Sequence, residues 1–402
     1  MPHIRFSTAG ESHGPGLVAL IEGVPAGLGL LAAHVNTELA RRQQGYGRGR
    51  RMQIEQDAIE FISGVRAGET LGSPIAMLIR NRDWKNWSDV MDAAPREEDA
   101  GEGRKRRLTR VRPGHADLSG LFKYDRDDAR DILERASARE TTARVAAGAV
   151  ARRLLAEFGI TIGSHVVHLG GVDAMPPAQL PDDLNAAADL SPLRTLDKAA
   201  EARMIGRIDQ LKEAGNTAGG VAEVVVRGLP VGLGSHVSWD RKLDGRLARA
   251  IVSIPAVKAM EIGAGFDGAR KSGSEVHDEI EPAPDAAHAR HGHVRRRTNR
   301  AGGLEGGMTT GEPLVLRAMM KPISTLMMSP LATVDAATGE AALGAVERSD
   351  VTAVPAMGVI AEAMTALVLA DALVEKFGGD SLGELRRNFD GYLSHIAARF
   401  SR

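Results

Sequence analysis

The stretch from Val351 to Val374 limits the possible folds more than any other segment. Drawn as a helix it is apolar on most of its circumference, and only Glu362 and Asp371 interrupt it. It runs on to Phe377 and stops at Gly378-Gly379, a common helix terminator. Two ionisable residues and a glycine stop predict a buried core helix rather than a membrane span. A helix that is apolar nearly all round must be covered on several sides, so it is expected at the centre with sheets packed outside it.

Around it lie short β-type runs at Ile4–Thr8, Leu17–Glu22, Pro74–Arg80, Thr161–Leu169, Val221–Arg227 and Pro313–Met319, mostly bounded by Gly or Pro. A second long helix is expected from about Asp127 to Phe158, with Ile132, Ala136, Ala143, Ala146, Val150 and Leu154 on one stripe and Gly159 as its stop. Strands and helices do not alternate steadily, so the predicted class is α+β rather than a doubly wound parallel sheet. With 402 residues the chain has room for a large core, and the length allows two or three domains but also fits one large α/β or α+β unit over 1–402. Gly23-Val24-Pro25-Ala26-Gly27-Leu28-Gly29 and Gly228-Leu229-Pro230-Val231-Gly232-Leu233-Gly234 share G-x-P-x-G-L-G. Each copy follows an apolar run and precedes a helix-like Leu-Ala-Arg, which suggests two related half-chains about an approximate twofold. Asp83–Arg107 and Gly273–Arg300, rich in charge, Gly and Pro, are expected as surface loops.

Composition narrows the chemistry. Cysteine is absent, which removes disulfides, thiolate nucleophiles and Cys-ligated metal centres and suits a reducing, cytoplasmic setting. The N-terminus lacks the charged-then-apolar order of a secretion signal. Lys+Arg is 51 against Asp+Glu 52, so no global field draws the chain to nucleic acid or membrane, and basic chemistry must be local.

Local basic groups are plentiful. Arg41, Arg42, Arg48, Arg50 and Arg51 crowd a Gly-rich segment, where forked guanidinium groups can hold phosphate or carboxylate. Arg112 and His115 flank the Pro113-Gly114 turn of Arg112–Asp117, which can aim both side chains inward. Arg135 and Arg139 are one helical turn apart beside Ser137; an exposed helix would pair them with Asp131 and Glu134 instead. Lys321-Pro322-Ile323-Ser324-Thr325 offers a cation and hydroxyls around a Pro turn, and Arg348-Ser349-Asp350 opens the central helix, where Asp350 is alternatively an N-terminal cap. Gly10-Glu11-Ser12-His13-Gly14 fits the nucleophile elbow G-x-S-x-G, but only eleven residues precede Ser12, too few for the strands an elbow follows. A Gly-hinged turn setting Ser12 and His13 toward a polar ligand is the better reading. His288, His291 and His293 lie on a charged loop without carboxylates in register, and no metal is expected. A serine hydrolase and an RNA-binding protein using the Arg-rich segments remain as rivals on these residues alone.

Taken in order along the chain, Gly10–Gly14, the GYGRGRRM segment, Arg112–Asp117, Glu134–Thr141, Ser253–Gly263, Asn299–Gly311, Lys321–Thr325 and Arg348–Asp350 resemble chorismate synthase over nearly the whole length. The resemblance implies a β–α–β sandwich, central helices enclosed by antiparallel sheets, assembled as a homotetramer. It implies 1,4-elimination of phosphate from 5-enolpyruvylshikimate 3-phosphate, giving chorismate for aromatic amino-acid biosynthesis. Reduced FMN is needed although there is no net redox change, and the family is also associated with NADP. No reductase segment is evident, so a separate flavin reductase is expected to supply the reduced cofactor.

By the same resemblance, Ser12, Arg42, Arg48, Arg51, Arg112 and Arg139 would surround substrate. Arg135, Ala136, Ser137, Pro255, Ala256, Gly306, Lys321, Pro322, Ile323, Ser324 and Thr325 would hold FMN, with Arg348 shared between the ligands. His13 would donate a proton to the departing phosphate, His115 would protonate or stabilise the anionic reduced flavin, and Asp350 with flavin N5 would relay the C6 proton away.

Overall fold

Alternating burial builds the first sheet. β1 (Arg5–Ala9) and β2 (Gly16–Glu22) are followed by α1 (Ala32–Gln43), β3 (Ile59–Ser63), the tight hairpin β4 (Val65–Arg66) and β5 (Glu69–Thr70), and β6 (Ile75–Arg80). The sheet order is β1-β2-β6-β3, antiparallel throughout. Leu17, Ala19 and Ile21 of β2 and Ile75, Met77 and Ile79 of β6 are buried on one face, as period-two spacing dictates. The computed structural model describes residues 3–49, 56–95, 107–285, 288, 291–328, 331–346 and 350–399.

The connection out of β6 carries α2 (Asp117–Tyr124) and α3 (Arg130–Ala136) before α4 (Thr141–Ala156) returns to the core. The single helix expected over 127–158 is therefore broken. Ser137 is extended, with ψ at 145°, and its hydroxyl accepts a hydrogen bond from Arg139 N, capping a 3-10 turn over Ala138–Glu140. A serine that can satisfy a backbone N–H locally competes with helix continuation, and that bond wins here.

The second half begins with β7 (Thr161–Leu169) and β8 (Val172–Asp173). After α5 (Lys198–Glu213) come β9 (Gly220–Arg227), α6 (Leu243–Val252) and β10 (Val257–Ile262). The hairpins β11–β12 (Ile280–Pro282, Val294–Arg296) and β13–β14 (Leu304–Glu305, Met308–Thr309) lead to β15 (Leu314–Met320). A last hairpin, β16–β17 (Ala332–Val334, Ala341–Leu343), precedes the central helix α7 (Val354–Phe377) and α8 (Leu382–Ala397). The second sheet has the order β10-β15-β9-β7-β8. All the expected strand runs and the central helix are present. Segment 273–300, expected as a loop, contains a short helix and the β11–β12 hairpin.

The layers form a β–α–β sandwich of the α+β class. α4 lies on the first sheet and α7 on the second, and the two helices pack directly on each other, with α1 and α6 alongside. Close approach is made possible by small residues: a methyl group on Gly148 would stand 2.6 Å from the Cα of Ala363. Gly148→Val is expected to push α4 off α7 and cost about 1–3 kcal/mol, the scale of overpacking, measurable as a lower denaturation midpoint.

The interruptions in α7 tie elements together. Asp371 Oδ1 accepts from the backbone N–H of His3 (2.6 Å) and Ile4 (2.8 Å), and Arg246 of α6 reaches its other oxygen. Glu362 accepts from Arg41 of α1 (3.0 Å), Arg152 of α4 (2.6 Å), Arg194 (3.0 Å) and Ser164 of β7 (2.6 Å). α7 is long and apolar enough to cross a membrane, yet it is almost wholly buried within the protein.

The two Pro turns make matching bonds. Gly27 N donates to Thr70 O at 2.9 Å and Gly232 N to Thr309 O at 2.8 Å. Leu28 N and Leu233 N donate to the same two threonine hydroxyls, which in turn donate to Pro25 O and Pro230 O, each at 2.6 Å. Strand order β1-β2-β6-β3 also matches β7-β9-β15-β10. This correspondence supports the relation expected between the half-chains, and adds a threonine hairpin to it.

Candidate active site

The β1–β2 loop sits against the first sheet and α3. Gly10, with φ at +103°, turns the chain in the left-handed region that glycine tolerates. Asn81, just beyond β6, donates to the carbonyls of Ser12 (3.3 Å) and Gly14 (2.8 Å), and Ser12 N donates to Glu134 O at 3.0 Å. The Ser12 side chain is buried and accepts from Ser137 Oγ at 3.2 Å. His13 Nδ1 lies 2.9 Å from both carboxylate oxygens of Glu134, while His13 N donates to Glu134 Oε2 at 2.9 Å. The imidazole stacks on Trp87, centroids 3.9 Å apart. Arg130 donates to Glu134 Oε1 at 3.0 Å, and its guanidinium lies 5.1 Å from the Trp87 ring centre. Burial alone would raise the Glu134 carboxyl, but its bonds to His13 and the Arg130 charge hold it below the usual range.

Arginines gather beside this loop. Arg139 donates to both oxygens of Asp57 (2.6 and 2.8 Å) and to Asn81 Oδ1 (3.0 Å). Arg42 donates to Thr141 Oγ1 (3.0 Å) and Ala138 O (2.8 Å) and lies 3.9 Å from Asp57. Burial first, then the Arg48 charge, brings the Arg42 guanidinium down to about 9, with Asp57 opposing. Arg48 pairs with Asp350 at 3.2 Å, and Asp350 accepts from Gly49 N at 2.6 Å. Asp350 is not a helix cap, because α7 begins after Ala353 with no side-chain cap. Ser12, His13, Arg42, Ser137 and Arg139 thus join through one chain of contacts, and the Arg48–Asp350 pair acts on Arg42 through its charges.

A second cluster forms at the start of α2. His115 Nδ1 lies 2.5 Å from Asp117 Oδ1, and Arg112 grips the same carboxylate through Nε (2.8 Å) and Nη2 (3.0 Å). Asp117 is buried; burial would raise its carboxyl, yet His115 and Arg112 hold it far below the usual range. Lys321 Nζ donates to Gly114 O at 2.6 Å, and Lys321 N to Ala256 O at 3.0 Å. Thr217 Oγ1 fixes the turn by donating to Ile323 O at 2.7 Å. Lys321 thus links the Pro255-Ala256 turn, with Ala256 at φ +66°, to the Gly114-His115 turn. The two clusters connect through α2 and α3, which pack where Gly120 leaves room for Ile132.

Not every expected residue converges. Arg135 is occupied by Thr8 O (2.9 Å), Thr8 Oγ1 (2.6 Å) and Gly10 O (3.1 Å), a clamp on the end of β1. It and Arg139, expected on one helix face, diverge because of the break at Ser137. Glu134, an alternative surface partner for those arginines, binds His13 and Arg130 instead. Gly306 occupies the β13–β14 turn at the beginning of α6, while Pro255-Ala256 follows its end. Ten helical residues, about 15 Å, separate the two. Arg51 and Arg348 lie outside the described residues. Sequence reasoning gave no role to Asp57, Asn81, Trp87 or Asp117 and named Glu134 only as an alternative partner for arginines; Asp117 and Glu134, inside the Arg112–Asp117 and Glu134–Thr141 motifs, carried a local signal.

A family model described as chorismate synthase matches residues 4–374. The chorismate synthase of Geobacter metallireducens is 56% identical over 396 residues, covering 98% of this chain and 99% of that protein. That of Symbiobacterium thermophilum is 56% identical over 399 residues, covering 98% and 100%. A crystal structure of chorismate synthase superposes with a TM-score of 0.78 at 42% identity, covering 98% of both chains.

Proposed function

The chain belongs to the chorismate synthase family of lyases, and from that premise we propose that it eliminates phosphate from 5-enolpyruvylshikimate 3-phosphate, with loss of the C6 proton, using reduced FMN. The observation that carries the reading is the joining of His13, Ser12, Arg42 and Arg139 into one contact network, with the Arg48–Asp350 pair acting on Arg42 through its charges. A substrate bearing one phosphate and two carboxylates needs several fixed cations, and guanidinium groups held by Asp57, Asn81 and Asp350 are already positioned to receive it.

Each residue has a defined task in this scheme. His13, bound through Nδ1 to Glu134, is left to offer Nε2–H to the leaving phosphate oxygen as the allylic C–O bond breaks. Asp350, held by Arg48 and Gly49 N, is the carboxylate that serves removal of the C6 proton. Arg112, engaged on Asp117, contributes positive charge beside substrate and orients His115. Ser137, Ala256 and the Lys321–Thr325 turn, with their cation and hydroxyls, would hold a phosphorylated, planar cofactor, and His115, bound through Nδ1 to Asp117, would hold a proton for its anionic form. When bound, reduced FMN supplies electron density to the developing allylic system. The same reading includes a homotetramer in the cytoplasm, supplied with reduced flavin by a separate reductase.

An anaerobic assay with 5-enolpyruvylshikimate 3-phosphate and photoreduced FMN, following chorismate in the ultraviolet, tests it. Product is expected only with substrate and reduced flavin together. Absence of turnover, or equal turnover without flavin, would remove the proposal.

A further inference from the structure

His13, Glu134, Arg130 and Trp87 form a closed ring of contacts. Glu134 bonds His13 at 2.9 Å and Arg130 at 3.0 Å, while Trp87 stacks against His13 and lies 5.1 Å from the Arg130 guanidinium. The Glu134 side chain is only 1% exposed, so its charge is not spent on solvent. A buried carboxylate on Nδ1 fixes that nitrogen as a proton-bearing one and also stabilises the imidazolium. Resting on the reading of His13 as the proton donor, we propose that Glu134 is a positioning residue for that proton transfer, with Arg130 as the counter-cation that sets how much of its charge His13 receives.

Among the described residues, the charged groups near His13 have effects of opposite signs. From α3 come Glu134 and Arg130; from its own loop comes Glu11, whose carboxylate lies 3.3 Å from where a Gly14 Cβ would stand. Trp87, from the Ser88–Met91 side, is uncharged and is held by Nε1–H to Asp83 at 3.0 Å. Removing the Glu134 charge withdraws the anion that favours imidazolium. Removing Arg130 withdraws a cation that opposes it and leaves the carboxylate to His13 alone. A merely structural Glu134 would not move His13 in opposite directions under these two changes.

The test uses the full chain with Trp84→Phe and Trp239→Phe, leaving Trp87 as the sole tryptophan of three. Protonation of the stacked imidazole quenches its emission, so the pH of the fluorescence change reports His13, with His13→Ala as the control that abolishes it. Glu134→Gln is expected to move that change to lower pH, Arg130→Met to higher pH, and Asp117→Asn to leave it in place. In the turnover assay Glu134→Gln is expected to lower kcat about tenfold or more with KM changed by less than about threefold. The loss should be greatest at high pH, where the donor loses its proton first. Movement in one direction for both variants, or none, overturns the proposal. So does an unchanged kcat in Glu134→Gln beside an inactive His13→Ala. Full activity of His13→Ala instead overturns the premise about His13, a result the fluorescence data separate from failure of the Glu134 pairing.

Discussion

His13→Ala is expected to reduce turnover by at least ~10²-fold with saturating reduced FMN while leaving the fold intact. The loop around it does not depend on the imidazole for its shape. Asn81 holds the carbonyls of Ser12 and Gly14, and the Ser12 amide is held by a Glu134 backbone carbonyl. What disappears is the proton donor for a poor leaving group, at a site where Ser12 and Arg139 remain in place to bind it. The loss should therefore fall on kcat more than on KM, and the denaturation midpoint should hardly move. Near-full activity under anaerobic, flavin-saturated conditions would remove His13 from the chemistry, and with it the assignment of acid catalysis to this loop.

The cationic side of the site follows a similar logic. A chain of net charge -1 can concentrate arginines only if carboxylates stand among them, and Asp57, Asp117 and Asp350 do so here. Those carboxylates keep Arg139, Arg112 and Arg48 oriented before any ligand arrives. Arg42 is the least compensated, buried beside Arg48 and Arg139 with Asp57 only at 3.9 Å. On the proposed function, an incoming phosphate or carboxylate would relieve that repulsion, so that binding and electrostatic relief would occur together.

How much of this is visible in the sequence depends on whether a feature is local. The central helix shows because its apolar character is continuous, and the strands show because their punctuation by Gly and Pro is local. The family resemblance rests on motifs that are likewise short runs. Asp57 and Asn81 leave no such mark, and Glu134 opens the Glu134–Thr141 motif without revealing its partner: Glu134 meets His13 across 121 positions, and Arg139 meets Asp57 across 82 and Asn81 across 58. Only the folded chain brings them together. The break at Ser137 is hidden for another reason. Apolar spacing continues through it at helical period, and the competing event, a serine hydroxyl capping the next turn, uses a residue that is also tolerated inside helices.

Glu362→Ala is expected to destabilise the protein by about 3–5 kcal/mol, the penalty for removing one partner from a buried ion pair. Glu362 is 1% exposed and is shared by Arg41, Arg152 and Arg194, with Ser164 and Asn185 completing its bonds. Alanine would leave three guanidinium groups with, among the described residues, only Glu38 and Asp189 between them at the junction of α1, α4, α7 and the second sheet. Burial works against the ionised carboxyl, but the three arginines outweigh it and hold it far below the usual range. The folded-state pKa is thus depressed, so the stabilisation is present above the unfolded carboxyl value of about 4.3 and fades as pH falls below it toward the folded value. Glu362→Gln, which keeps the shape and part of the bonding, should lose stability at neutral pH and show a shallower decline between about pH 5 and pH 3 than the parent. Chemical denaturation at pH 7 and at pH 4 measures both. A change below about 1 kcal/mol at pH 7 in Glu362→Ala would mean that the arginines find other partners, and that the central carboxylate is not what locks the helical layer to the sheet.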